Sequence, residues 1–199
     1  PEQIEAIIND FKQVIPVSDL PNPDKSSEWL EGDEATQYLI DMVFCQLYAV
    51  ENRTMMGETV ADVLNTTITD EIHSIHNFID FRDQIIRKGA TRAYEGERSV
   101  IPFNMRDGSV IVKGKSNPEW NHSVSHGTGR QMSRGQARDT TTEEELATEL
   151  EASDVYAGET PPSESPVAYK DTDMIQQAIT DTATIMEHLT PIHNFKSNN

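Results

Sequence analysis

Residues 117–134 read NPEWNHSVSHGTGRQMSR and contain the densest group of chemically reactive side chains in the sequence. His126 stands directly before a Gly-Thr-Gly turn, where the backbone can approach a ligand closely. Arg130 and Arg134 follow at a spacing that, on a helix, places both guanidinium groups on one face. Guanidinium groups bind phosphate oxygens, and a neutral imidazole can attack a phosphoryl group. The pattern indicates phosphoryl or nucleotidyl transfer, with a structural glycine turn as an equal alternative.

The charge around this stretch is positive, although the chain as a whole carries a net charge of -18. Residues 82–138 contain eleven Lys or Arg side chains and five Asp or Glu side chains. A negative protein repels phosphates, but a basic segment between acidic flanks creates a local surface that attracts them. The distribution therefore indicates phosphate binding in the middle of the chain. Chance clustering on a solvated face is the alternative.

Length and composition predict one globular domain over residues 1–199, or at most two small ones. No apolar run approaches the roughly 18 residues of a membrane helix, and the N-terminus lacks a signal-peptide pattern. Cys45 is the single cysteine and excludes an internal disulfide. We expect it to be a small buried residue. These features predict a cytoplasmic protein without a membrane partner.

Hydrophobic periodicity predicts an α+β fold with strands in the middle and helices at both ends. The predicted helices cover residues 3–15, 33–51, a piece at 59–64, a stretch near 132–138, a capped helix from 140–145 and a last helix over 171–189. The predicted strands lie in the alternating segment 72–80 and around 100–101 and 110–112. Residues 157–166 are rich in Gly, Pro, Ser and Glu and are expected to form an exposed loop.

Residues 125–134 closely resemble the SHGAGR-x-MSR signature of the RtcB family of RNA ligases. Further landmarks occur in the family's order between about residues 28 and 196. They are NR-x-MM at 52–56, HN at 76–77, RKGA at 87–90, P-x-AYKD at 166–171 and NFK at 194–196. The resemblance implies that the chain is the C-terminal part of one RtcB-like ligase domain.

The resemblance implies an enzyme that joins RNA 3′-phosphate or 2′,3′-cyclic phosphate ends to 5′-hydroxyl ends, with GTP and Mn²⁺. His126 matches the guanylylated histidine and His76 a manganese ligand. The other matching positions are Ser109, Tyr169 and Lys196 at guanine, Thr128 and Gly129 beside the ribose, and Arg130 and Arg134 at RNA phosphates. RNA, GTP, the missing N-terminal half of the ligase and an archease-type activator are the partners implied.

Two departures separate this sequence from the common family pattern. The family's IPGSMG is replaced by IPFNMRDG at residues 101–108, which resembles a variant branch with an NMRDG motif and affects the expected guanine contact of Ser109. The family's aspartate–cysteine and GNHF metal motifs do not occur before the HN pair. A piece of a larger or split enzyme is therefore expected, with a non-catalytic RNA-binding or structural assembly module as the alternative.

Overall fold

The computed structural model describes residues 30–195, which form two compact units. Within the described residues, the first unit consists of residues 30–71 and 78–87, and the second consists of residues 72–77 and 88–195. The helix predicted over residues 3–15 lies outside the described residues, as does Lys196.

Residues 30–195 contain helices and strands, which confirms the predicted α+β class. The helices are α1 (Gly32–Val63), α2 (Arg134–Thr140), α3 (Glu143–Ala152) and α4 (Thr172–Ala178). The strands are β1 (Asn77–Asp80), β2 (Ile85–Lys88), β3 (Ala90–Arg92), β4 (Arg98–Pro102), β5 (Ser109–Gly114), β6 (Ser123–Ser125), β7 (Tyr156–Ala157), β8 (Ala183–Leu189) and β9 (His193–Asn194). None of the helices in this part of the chain combines the length and apolarity that crossing a bilayer requires.

The first unit contains α1 and most of the two-stranded sheet β1–β2. The two helical pieces predicted at 33–51 and 59–64 are parts of the single helix α1. Arg87 and Asp80 form a buried ion pair at 2.7 Å between the strands. The prediction that Cys45 is buried is wrong, because its side chain lies on the exposed surface of α1, where Val43 and Ala61 are the buried positions.

The second unit is built on the antiparallel sheet β4–β5–β8, with β5 in the centre. Its strands confirm the apolar segments predicted around 100–101 and 110–112. Alternate side chains of β4 and β5 are buried, as expected for strands that cover a core with one face. The buried cluster consists of Ala93, Ile101, Phe103, Val110, Val112, Val124, Ile179 and Ala183.

The helix predicted over residues 171–189 is wrong in its second half. Helix α4 ends at Ala178, and the amides of Thr182 and Ala183 donate to the carbonyl of Ile179 in a turn. The chain then continues as β8, which pairs with β5. The spacing of the apolar residues in this segment fits a helix, but its β-branched residues favour a strand. The segment forms a strand because the edge of β5 has backbone groups available for pairing.

The strand predicted over residues 72–80 begins only at Asn77. The preceding residues are fixed by other contacts, because the amide of Val100 donates to Ser74 Oγ at 2.7 Å and the amide of Gly89 donates to the carbonyl of His76 at 2.7 Å. The predicted helix starts after residue 132 and after residue 142 are confirmed. Both carry capping boxes, formed by Ser133 with Gln136 and by Thr142 with Glu145.

Candidate nucleotide-transfer site

A cleft with a volume of about 500 Å³ opens in the second unit, next to the turn between β4 and β5. The loop after β6, the turn 103–108 and the segment before α4 all contribute side chains to it. The lining residues are Pro102, Phe103, Asn104, Met105, Gly108, Ser109, His126, Gly127, Thr128, Gly129, Arg130, Glu164, Tyr169, Pro191 and Asn194. These three segments and residues Pro191 and Asn194 after β8, all far apart in the sequence, therefore meet around one cavity.

His126 is the reactive side chain of this cleft. It follows β6 and is half-buried, and its Nδ1 lies 2.5 Å from the carbonyl oxygen of Gly89. Since a carbonyl oxygen only accepts hydrogen bonds, Nδ1 must carry the proton that it donates. In the neutral ring the lone pair then lies on Nε2, which is the nitrogen that can act as a nucleophile.

Gly89 makes this contact possible because it has no side chain. Its φ is +71°, and a Cβ added there would lie 3.3 Å from Cε1 and 3.4 Å from Nδ1 of His126. Its amide also donates to the Asn77 side-chain oxygen at 3.0 Å. The backbone of Gly89, whose carbonyl orients His126, is therefore itself held by a hydrogen bond at its amide.

His76 packs against His126. Its ring stacks on the ring of His126, with centroids 4.8 Å apart and planes inclined by 19°. Its carbonyl accepts the amide of Gly89 at 2.7 Å. The two histidines, which are widely separated in the sequence, are therefore neighbours in the second unit.

The loop after His126 follows the edge of β4. Thr128 is buried and its amide donates to the carbonyl of Pro102 at 3.3 Å. Gly129 has a φ of +71°, a conformation that glycine adopts without steric cost, and its carbonyl accepts the amide of Lys170 at 3.1 Å. These contacts hold the loop between the central sheet and the segment before α4.

Tyr169, Arg130 and Glu164 form a polar cluster on the wall of the cleft. The Tyr169 hydroxyl donates to Glu164 Oε2 at 2.5 Å and accepts from Arg130 Nη1 at 3.3 Å. The Arg130 guanidinium carbon lies 5.0 Å from the centroid of the Tyr169 ring. Burial and the hydrogen bond to Glu164 raise the pKa of Tyr169 to about 12, so the phenol keeps its proton near neutral pH.

The prediction that Arg130 and Arg134 lie on one helix face is wrong. Helix α2 begins at Arg134, after the Ser133 cap, whereas Arg130 lies in the loop and forms an isolated bridge with Tyr169. Both guanidinium groups nevertheless approach the same carboxylate, since each has a nitrogen 3.6 Å from Glu164 Oε1. The tertiary structure brings the two arginines together around Glu164.

The variant segment 103–108 forms a closed polar turn beside the cleft. Asn104 Oδ1 accepts the amides of Arg106 and Asp107 at 3.0 and 2.9 Å. Arg106 donates to Asp107 at 2.6 Å and to Glu149 of α3 at 2.5 Å. Burial raises the pKa of Asp107, but the hydrogen bonds from Arg106 and Asn104 outweigh it and hold that pKa below its ordinary value.

This turn should make the stability of the chain sensitive to acid. A carboxyl group with a lowered folded-state pKa stabilises the fold above its ordinary pKa of 3.8, and that contribution is lost as pH falls further. We expect Asp107→Asn to be less stable than the parent at pH 6, with a difference that narrows below about pH 4. Urea unfolding at pH 6, 4 and 3 measures it. Asp139→Asn, at an exposed site, is the control, and a difference independent of pH would contradict the prediction.

Almost the whole chain matches a known protein family. A family model described as tRNA-splicing ligase RtcB matches residues 4–197. The chain belongs to the RtcB family. The match covers both described units and confirms the resemblance found in the sequence motifs.

Curated RtcB relatives are considerably longer than this chain. RNA-splicing ligase RtcB of Escherichia coli (strain K12) is 32% identical, in an alignment that covers 79% of this chain and 43% of the relative. tRNA-splicing ligase RtcB of Aeropyrum pernix is 36% identical, with 79% of this chain and 40% of the relative covered. The chain therefore spans less than half the length of these relatives.

Most residues that the sequence predicted for the RtcB site lie around the cleft. The lining includes His126, Ser109, Thr128, Gly129, Arg130 and Tyr169. His76 is connected to the cleft through its stacking on His126, and Arg134 through Glu164. Lys196, which was predicted to contact guanine, lies outside the described residues.

The described residues of this RtcB chain do not form a complete manganese site. Manganese prefers several carboxylate, imidazole or water ligands. Among residues 30–195, no three His, Cys, Asp or Glu side chains are grouped so that they could hold a metal ion. Among these residues His76 is therefore an isolated candidate ligand.

Two residues of the site were not identified from the sequence. Gly89 belongs to the RKGA motif, which by itself indicates no role for this residue, and it orients His126 through its carbonyl. Glu164 was assigned to an exposed loop, but it accepts the Tyr169 hydroxyl and approaches both arginines. Its position just before the P-x-AYKD motif was the available signal.

Proposed function

We propose that this chain carries the guanylyl-transfer site of a GTP- and Mn²⁺-dependent RNA ligase, which acts in tRNA splicing or RNA repair. The ligase would join RNA 3′-phosphate or 2′,3′-cyclic phosphate ends to 5′-hydroxyl ends. The observation that supports this most directly is the geometry of His126. Its Nδ1 proton is committed to the Gly89 carbonyl, and the side chain lines a cleft of a size suited to a nucleotide.

The proposed chemistry consists of three transfers. Nε2 of His126 attacks the α-phosphorus of GTP, so that an N–P bond forms while the bond to the β-phosphate oxygen breaks and pyrophosphate leaves. A 2′,3′-cyclic phosphate end is first opened by water, which breaks the bond from phosphorus to O2′ and leaves a 3′-phosphate. An oxygen of the RNA 3′-phosphate then attacks the same phosphorus of the guanylyl group, and the N–P bond breaks. Finally the RNA 5′-hydroxyl attacks the RNA phosphorus, GMP leaves with the bonding electron pair, and the hydroxyl proton passes to solvent.

The residues around His126 support distinct parts of this proposal. Ser109 and Tyr169 would contact guanine, and Thr128 and Gly129 would lie beside the ribose. Arg134 would meet an RNA phosphate, because a guanidinium group binds phosphate oxygens. The further manganese ligands would come from RtcB sequence beyond this chain, most simply an N-terminal half. An archease-type activator and a cytoplasmic location stay predictions.

The first test is transfer of radioactive label from GTP to the purified chain in the presence of Mn²⁺. We expect label from α-³²P-GTP to be retained and label from γ-³²P-GTP to be lost, because only the guanylyl group stays on histidine. A phosphoramidate is labile in acid and stable in base, which distinguishes it from a serine ester. The incubation is repeated with a separately expressed N-terminal half of an RtcB ligase.

A non-catalytic RNA-binding or structural module is the second candidate. The lack of a grouped set of metal ligands among residues 30–195 favours it. Retention of RNA by the chain without any labelling, with or without the N-terminal half, would support this candidate. Such a result would contradict the proposed ligase.

Gly89→Ala should slow labelling by about tenfold or more, since small displacements of a reacting group have large effects on rate. The added Cβ would contact the His126 ring at 3.3 Å and would sit on a backbone with positive φ. Labelling rates at saturating GTP measure the effect. Gly158→Ala is the control, because a Cβ there meets nothing within 4 Å. Equal rates for both variants would show that Gly89 does not position His126.

A further inference from the structure

We propose that the two arginines of the site have different tasks. Arg130 is a positioning residue that holds Tyr169 and the loop after His126, whereas Arg134 supplies the positive charge that meets an RNA phosphate. This inference rests on the proposed ligase function. It assigns different roles to Arg130 and Arg134, which the sequence motif matched to the same role.

The guanidinium of Arg130 is engaged with the protein through all three of its nitrogens. Nε donates to the carbonyl of Met132 at 3.2 Å, Nη1 to the Tyr169 hydroxyl at 3.3 Å and Nη2 to the carbonyl of Ser163 at 2.6 Å. The side chain is 26% exposed. These bonds use three of the five N–H donors of the guanidinium and fix its orientation toward the protein. Turning the group toward a phosphate would take these donors away from the carbonyls of Met132 and Ser163.

The same contacts join the loop after His126 to the segment before α4. Arg130 and Tyr169 form a backbone bridge, and the amide of Gln131 donates to the carbonyl of Ala168 at 2.9 Å. The guanidinium also covers one face of the Tyr169 ring. The position of this ring relative to His126 therefore depends on Arg130.

Arg134 has a contrasting environment. Its side chain is 72% exposed, and its ion pair with Glu164 has a nitrogen–oxygen distance of 3.6 Å. Because the arginine is mostly exposed and the separation is long, this ion pair is weak, and the guanidinium can exchange Glu164 for another anion. A guanidinium with this freedom can turn toward a phosphate of a bound strand.

Lysine substitutions separate the two roles, because lysine keeps the charge but lacks the planar fork of donors. Arg134→Lys should retain RNA binding, whereas Arg130→Lys should behave like Arg130→Gln. The expected defect of both Arg130 variants is an increase in KM for GTP of about fivefold or more, with a smaller change in kcat, since Tyr169 would no longer be held for the nucleotide.

The first experiment measures binding of a fluorescent single-stranded RNA with a 3′-phosphate as a function of KCl concentration. Each phosphate contact contributes about 0.7 to the slope of log K against log salt for single strands. We expect Arg134→Gln to reduce the slope by about this amount, Arg134→Lys to restore it, and both Arg130 variants to leave it unchanged. Arg98→Gln, at an exposed position on β4, controls for loss of one positive charge.

Tyrosine ring NMR gives a measurement that does not depend on RNA or GTP. With ¹³C-labelled tyrosine, the Tyr169 signal, assigned through Tyr169→Phe, should shift in Arg130→Lys and stay in place in Arg134→Lys. A slope lowered equally by Arg130→Gln and Arg134→Gln, with full recovery in Arg130→Lys, would overturn the division of roles while leaving the ligase proposal intact. An unshifted Tyr169 signal in Arg130→Lys would also overturn it. Absence of both RNA binding and labelling in the parent chain would overturn the ligase proposal and the phosphate role of Arg134 together.

Discussion

His126→Ala is expected to abolish the transfer of label from α-³²P-GTP, with a decrease in labelling rate of at least about a thousandfold. The structure gives the reason in one hydrogen bond. Since Nδ1 donates to the Gly89 carbonyl at 2.5 Å, the lone pair needed for attack on phosphorus lies on Nε2 of the same ring. Alanine removes this nucleophile, and no water molecule can form the N–P bond in its place.

The control for this experiment is His188→Ala. His188 is an exposed histidine on β8 and does not line the cleft, so its loss should leave the labelling rate within about twofold of the parent. Equal loss in both variants would point to unfolding, which circular dichroism detects. Undiminished acid-labile label in folded His126→Ala would contradict the assignment of the nucleophile.

Gly108→Ala is expected to destabilise the chain by roughly 2–5 kcal/mol, the sum of a left-handed backbone penalty and severe crowding. Gly108 has a φ of +74°, and a Cβ there would lie 2.0 Å from the carbonyl oxygen of Leu189 and 2.8 Å from Cδ of Pro191. The backbone must therefore move where β5 pairs with β8. Urea unfolding followed by circular dichroism at pH 7 measures the loss.

Two further glycines separate the two contributions. Gly96 has a φ of +84° but only an ordinary contact of 3.7 Å with Lys113 Cε, so Gly96→Ala should lose about 1–2 kcal/mol. Gly158→Ala, in open space and outside the left-handed region, should change the free energy of unfolding by less than about 1 kcal/mol. If Gly108→Ala were no less stable than Gly96→Ala, the packing of the turn against β8 would be wrong.

Local sequence patterns correctly predicted those parts of the fold that depend on interactions between residues close together in the chain. The apolar segments of β4 and β5 and the capped start of α3 belong to this group. The segment 183–189 does not. Its apolar spacing satisfies a helix, and it becomes a strand because β5 offers unpaired backbone groups to it.

The sequence by itself determined the family, through motifs whose residues are close together in the chain. It also identified six of the residues that line the cleft, His126 among them. Only the tertiary structure decided which nitrogen of His126 carries the proton and how Arg130 and Arg134 differ. The proton on Nδ1 of His126 depends on the Gly89 carbonyl, and the difference between Arg130 and Arg134 depends on Tyr169 and Glu164. Such contacts join distant segments, and hydrogen-bond direction and burial arise only when folding brings those segments within a few ångströms.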